Sequence, residues 1–342
     1  MSAENETLES KPEAGFRTAT VAVIGRPNAG KSTLLNALLD AELSGVSARP
    51  QTTRSNIKGI LQLYGKVNGK KKWTGQLVIA DTPGVNLRKG LLDRSMYSAI
   101  EDALRGVDGV VWVADCRTFK RDLDDLEQDR PGEDKLFFWL KDQMNKKRKD
   151  SKWILVLSKA DMKSKEKLLP LIELAARVMP QFTDIIPLSA LKGQKDTKGN
   201  VKSLIKVLEA SAPEAAPLYP EDTWTDVSER DLVQNLVREA IFQGSYKEVP
   251  YESDCEIFSF KEPTGKQKMA EVDANIVVSR DSLKRILIGK GGAKIRDIGK
   301  AVRVRYKDLT GDDIVLRLNV KVEDKWQQRP KFLKELGYAG KE

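Results

Sequence analysis

GRPNAGKS, residues 25 to 32, leaves the β-rich run ATVAVI and enters the helical pattern TLLNALLD. The stretch satisfies G-x-x-x-x-G-K-[ST]. At that spacing a glycine turn between strand and helix aims bare backbone N–H groups at phosphate oxygens. Gly25, Arg26, Pro27, Asn28, Ala29, Gly30, Lys31, Ser32 and Thr33 are therefore expected to line a phosphate cradle. Backbone N–H groups of residues 28 to 33 wrap the β-phosphate, Lys31 reaches the β- and γ-oxygens, and the Ser32 hydroxyl holds magnesium. A chance glycine turn before a helix is the bland alternative. Agreement of spacing with context weighs against it.

A phosphate cradle does not choose a base, so the later strand ends decide. ADTPG, residues 80 to 84, closes an apolar run with Asp81, placed to hold magnesium through water, followed by Thr82, Pro83 and Gly84. The Gly84 N–H is placed to meet a γ-phosphate. LSKAD, residues 157 to 161, again ends an apolar run, with Ser158, Lys159 and Asp161. The Asp161 carboxylate can accept both the N1–H and the exocyclic amine of guanine, a donor pair that adenine lacks. SALKG, residues 189 to 193, offers Ser189 and Ala190, with the Ala190 N–H aimed at the guanine carbonyl. Thr53, in the segment Ser44 to Arg54, is the expected second hydroxyl ligand of magnesium, engaged only when a γ-phosphate is present. Lys31, Thr53 and Gly84 are the expected catalytic groups.

Around these motifs, apolar runs alternate with amphipathic stretches up to about residue 211, which argues for an α/β domain with a parallel sheet and helices on both faces. The charged segment 117–130 and KDQMNKKRKDSK read as solvated connections, and VNGKKKWTG as a hairpin-like surface variation. Residues 1–17 read as a disordered acidic tail, 18–211 as the nucleotide domain, and the proline- and acid-rich 212–227 as a linker. Residues 228–342 form a second domain. It begins with a helix from Ser228 to Phe242 and strands Glu252 to Phe260 and Ala270 to Val278. Next come a short helix with Leu283 and Ile286, a glycine loop, and a helix striped with Ile295, Ile298 and Val302. A strand with Ile314, Leu316, Leu318, Val320 and Val322 ends the series.

The 342 residues suffice for two cores, and 59 Lys and Arg against 50 Asp and Glu leave a charge of +9 that favours an anionic partner. Two distant cysteines, Cys116 and Cys255, fit a reducing compartment and buried structural thiols. The chain contains no histidine, which excludes imidazole catalysis. Its start lacks the features of a secretion or transit signal, and no apolar run approaches the ~18 residues of a membrane span, so a soluble protein is expected.

These motifs resemble the Era-type GTPases over nearly everything after the tail. GRPNAGKSTLLNALL, RPQTTRSNIKGI, DTPG, PLYPEDTWTD, SERDLVQNLVREAI and VKVEDKWQQRPKFLKELGY all look like that family. The resemblance implies a P-loop GTPase domain with a mixed, mostly parallel sheet, followed by a small α+β type II KH domain. Its G-x-x-G loop would be Gly289, Lys290, Gly291 and Gly292, which in KH domains clamps about four single-stranded nucleotides. Lys284, Arg285, Ile288, Lys294 and Arg296 complete the expected RNA surface. The basic run from Arg280 to Lys307, opposed only by Asp281 and Asp297, supports this independently.

Also implied are GTP and GDP as ligands, the 3′ end of 16S ribosomal RNA and the 30S subunit as partners, Mg2+ as cofactor, a monomer, and a cytoplasmic location with peripheral membrane contact left open. Asn28 matches an asparagine that helps coordinate potassium in related GTPases, so K+ use stays open too. Val85 stands where better-known GTPases carry a glutamine that orients water, which implies slow intrinsic hydrolysis. Ser158 replaces the family's asparagine. An assembly factor with negligible turnover, or a relative acting on transfer RNA or at the membrane, are the rival readings.

Overall fold

The structure, a computed structural model, describes residues 15–40, 43, 57–82, 84, 98–128, 136–146, 151–191, 197–246, 248–264 and 268–336. Thr53 with all of Ser44–Arg54, Pro83, Val85 and residues 86–95, which carried expectations, lie outside the described residues, as do residues 1–14.

The first domain is built from β1 (Arg17–Ile24), α1 (Lys31–Leu39), β2 (Ile57–Val67), β3 (Lys70–Asp81) and α2 (residues 98–103). After these come β4 (Gly109–Asp115), α3 (Phe119–Glu127), α4 (Leu136–Lys146), β5 (Lys152–Ser158), α5 (Lys165–Val178), β6 (Asp184–Pro187) and α6 (Thr197–Ser211). The sheet runs β2-β3-β1-β4-β5-β6, parallel except for β2, which pairs antiparallel with β3. Period-2 alternation splits its side chains between two cores. Val21 and Val23 of β1, with Val111 and Val113 of β4, meet α1 and α6 on one face. Ala22, Ile24, Val110 and Trp112 meet α2 to α5 on the other. The antiparallel β2 departs from the purely parallel pattern of strand and helix alternation. Asn68 and Gly69, both at positive φ (52° and 77°), make the tight turn that joins it to β3, so VNGKKKWTG is a true hairpin.

Three expectations are corrected. The tail does not reach residue 17, because β1 starts at Arg17 and Phe16 is buried edge-on against Trp73. The charged segment is not a solvated connection, because α3 buries Phe119, Leu123 and Leu126 on one face. Likewise the first half of KDQMNKKRKDSK belongs to α4.

The expected linker is a strap docked on the first domain. The Gln76 side chain, fully buried in β3, accepts from the Leu218 and Tyr219 N–H groups at 3.0 and 3.1 Å and donates to the Tyr219 carbonyl at 2.9 Å. Gln62 donates to the Pro220 and Thr223 carbonyls, and Ile60 N–H to the Trp224 carbonyl. At its end, Asp226 pairs with Lys58 at 2.9 Å.

The second domain has the expected order: α7 (Glu229–Gly244), β7 (Ser253–Lys261), β8 (Ala270–Val278), α8 (Asp281–Ile288), α9 (Ala293–Thr310) and β9 (Ile314–Val322). Ser228 caps α7 by accepting from the Asp231 N–H. The sheet order is β7-β8-β9, antiparallel then parallel. Ile298 and Val302 are buried as expected, but Ile286 is exposed and Leu287 takes the inward place on α8. A last helix, α10 (Pro330–Glu335), packs Leu333 with Trp326 against Val277. The buried Arg238, paired with Asp254 at 2.5 Å, also donates to the Leu336 carbonyl, holding this segment down.

Candidate functional site

The phosphate cradle sits where β1 ends. A Cβ on Gly25 (φ 151°) would lie 2.2 Å from the Val113 carbonyl oxygen of β4, so only glycine lets the chain turn there. Asn28 (φ 60°) and Gly30 (φ 98°) add left-handed bends that turn successive N–H groups to one side, forming an anion-binding nest at the start of α1. Lys31 is buried, its ammonium donating to the Gly25 and Arg26 carbonyls at 3.1 and 3.0 Å. Burial lowers its pKa to about 8, partly offset by the Asp81 carboxylate. Ser32 Oγ donates to Asp81 Oδ2 at 2.7 Å, which joins two of the three expected magnesium groups across α1 and β3. Gly84 lies flat on the loop: a Cβ there would be 2.7 Å from Pro27 Cα and 2.9 Å from Lys31 Nζ.

The side chains of two residues expected at the nucleotide make contacts elsewhere in the fold. Thr82 is buried and its hydroxyl donates to the Val23 carbonyl at 2.8 Å, so it ties the end of β3 to β1. The Arg26 guanidinium turns away from the cradle, pairing with Asp122 of α3 at 2.7 Å and lying 4.4 Å over the Phe137 ring of α4.

The base side assembles at the ends of β5 and β6. Ser158 Oγ is within 2.5 Å of the Ala29 carbonyl oxygen and 3.1 Å of that of Ala114. Lys159 (φ 56°) reaches back to the Asn28 carbonyl at 2.7 Å and to Asp115 at 2.9 Å. Asp161 is exposed in a single turn of 3-10 helix, and Ala160 N–H donates to the Leu188 carbonyl, which brings the buried Ser189 and half-buried Ala190 alongside. Asp115, Cys116 and Arg117 were not among the expected residues. They form the socket for this loop: Cys116 N–H donates to the Ser158 carbonyl and its Sγ to that of Lys159. Burial pushes the Asp115 pKa up. Hydrogen bonds from the Arg117 side chain and backbone and from Lys159 outweigh burial and hold it at about 2. The available signal was an acid at the end of an apolar strand adjacent to LSKAD.

In the second domain, Gly289, Gly291 and Gly292 have φ of 72°, 58° and 75° between α8 and α9. A Cβ at Gly291 or Gly292 would meet nothing within 4 Å, so this loop faces open space. Arg285 and Lys290 are exposed, Lys284, Ile288 and Lys294 half-buried. Arg296 bends back to donate to the Gly291 and Gly292 carbonyls, so it braces the loop. Arg280 pairs with Glu248, and Lys307 with Asp313, which neutralises the two ends of the basic run.

The geometry defines a class: a P-loop GTPase domain carrying a KH domain. Residues 20–159 match the family described as 50S ribosome-binding GTPase, and residues 248–327 match the KH domain. GTPase Era of Trichlorobacter lovleyi is 35% identical over 331 residues, covering 96% of this chain and 99% of that protein. GTPase Era of Clostridium botulinum strain Langeland is 34% identical over 323 residues, covering 94% and 98%. Aquifex aeolicus Era bound to GDP and AlF4− superposes with TM-score 0.80 at 31% identity, over 95% of this chain and all of that one. An Era complex with MgGDPNP and nucleotides 1506–1542 of 16S ribosomal RNA gives TM-score 0.78 at 31% identity, over 95% and 99%. The chain belongs to the Era GTPase family.

Proposed function

We propose that this protein binds and hydrolyses GTP, binds the single-stranded 3′ end of 16S ribosomal RNA through its KH domain, and acts as a switch in 30S subunit assembly. The observation that carries it is the meeting of Lys31, Ser32 and Asp81 with the Ser158–Asp161 and Ser189–Ala190 loops at the carboxyl ends of the strands, in a chain that also presents an open G-x-x-G loop.

Lys31 and the nest of N–H groups hold the phosphates, and Asp161 selects guanine. Ser32 and Asp81, hard oxygen donors 2.7 Å apart, suit Mg2+, which when bound neutralises charge on the β- and γ-oxygens. Thr53 would complete that set, and Gly84 would hold the γ-phosphate; both lie in segments that sense hydrolysis. Asn28, exposed at the mouth of the loop, would serve K+. The strap from Pro213 to Asp226 grips β2 just beyond the Thr53 segment, which gives nucleotide state a route to the KH domain. In this reading the protein works as a monomer in the cytoplasm, and any contact with the inner membrane face would use its exposed basic residues.

Single-turnover hydrolysis with Mg2+, in potassium or sodium buffer, with and without a 16S 3′-end RNA, tests the reading. Turnover is expected to be slow, faster in potassium, and lower by on the order of 100-fold or more for Lys31→Ala. RNA capture is expected to differ between GTP and GDP. Undiminished guanine nucleotide uptake by Lys31→Ala, with unaltered RNA capture, would overturn it.

A further inference from the structure

Ser158 changes how the base loop is held. An asparagine there would bring two N–H donors and a carbonyl, whereas a serine hydroxyl has one proton. That proton has two carbonyl oxygens within reach, Ala29 at 2.5 Å and Ala114 at 3.1 Å, so Ser158 is used up tying the loop to the cradle and to β4. A second side-chain link between the base loop and the cradle is Lys159, donating to the Asn28 carbonyl at 2.7 Å. A lysine stem has four rotatable carbons and keeps one geometry only if its ammonium is held from more than one side.

Asp115 supplies the second hold. Its Oδ2 accepts from Lys159 at 2.9 Å and from Arg117 Nη2 at 2.6 Å, while Oδ1 accepts from Arg117 Nε and N–H, both at 3.0 Å. The carboxylate is therefore fixed before it meets the lysine. Only 12% of its side chain is exposed, so solvent screens the pair less than a surface bridge. Resting on the guanine-site reading above, we infer that Asp115, held by Arg117, is a positioning residue for guanine recognition that keeps Lys159 bridged to the cradle, a duty made heavier by serine at position 158.

The test is a double-mutant cycle on GDP affinity with Asp115→Asn, Lys159→Met and the double variant, accompanied by Asp115→Glu. Asp115→Asn is expected to weaken GDP by about tenfold. It should weaken IDP, which lacks the exocyclic amine, by the same factor, since Asp161 still reads that amine. For GTP the loss should fall on KM and not on kcat. Lys159→Met should cost less in the Asp115→Asn background than alone, and Asp115→Glu should recover most of the affinity. Thermal unfolding separates a folding defect from lost positioning, because the inference requires the affinity loss in variants that melt close to the parent. Parental GDP affinity in Asp115→Asn, or losses that simply multiply in the double variant, would overturn it. Failure of the parent protein to bind GDP would instead strike the proposed function.

Discussion

The two glycine loops use the same backbone device toward opposite ends. Both place left-handed residues ahead of a helix, so that N–H groups are bare. The cradle at Gly25 is walled in: β4 presses on Gly25, Gly84 lies on Pro27, and Lys31 is buried. The loop at Gly289 is open on the Gly291 and Gly292 side and rimmed by the exposed Lys290. An enclosed nest suits a compact ligand that must be shut off from water, and an open one suits a strand that enters and leaves. Lack of room requires glycine at Gly25, whereas at Gly291 and Gly292 the requirement is backbone angle alone.

That contrast can be broken by experiment. Gly25→Ala carries the largest expected effect, because the new methyl would meet backbone; a loss of about 3 kcal/mol or more in holding the loop lowers GDP affinity at least ~100-fold. Calorimetric titration together with thermal unfolding checks this, and a well-folded variant with parental affinity would show that the wall is not rigid.

A smaller effect follows from the burial of Lys31. With its pKa about 8 when no phosphate is bound, raising pH above 8 removes the proton that phosphates need, so GDP affinity should fall by up to ~tenfold per pH unit. Binding should take up a proton, seen as buffer-dependent heat. The stability sign is opposite. Because the folded pKa lies below the usual 10.5, the unfolded chain holds more protons between about 8 and 10.5, and ligand-free stability should rise with pH there.

Gly291→Ala has the smallest expected effect, since it meets open space and suffers only the left-handed strain of ~1 kcal/mol. RNA affinity should fall about fivefold, measured by filter binding with GDP affinity as the control. A loss as large as that of Gly25→Ala would erase the distinction between the loops.

The alternation of apolar and polar residues made both domains legible, and β8 lies at its expected ends, Ala270–Val278. Less legible was whatever depends on a partner far along the chain. Phe119, Leu123 and Leu126 have helical spacing, but the charges between them read as solvent-facing until Arg26 supplies a partner for Asp122. Ile286 and Leu287 are adjacent and equally apolar, so pattern alone could not assign the inward one. Gln76 looks like a polar residue in a strand, and its burial makes sense only once the backbone of residues 218 and 219 fills its amide.

By itself the sequence determined the two-domain plan, the phosphate and base motifs and the G-x-x-G loop, because these follow from local spacing and backbone freedom. Only the tertiary structure decided which motif side chains are tied to other elements of the fold. It turned Arg26 and Thr82 into braces, enlisted Asp115, and made the linker a docked strap. The reason is that a hydrogen bond or ion pair is completed by whatever the fold brings within 3 Å or so, and that distance is not written in the spacing of either partner.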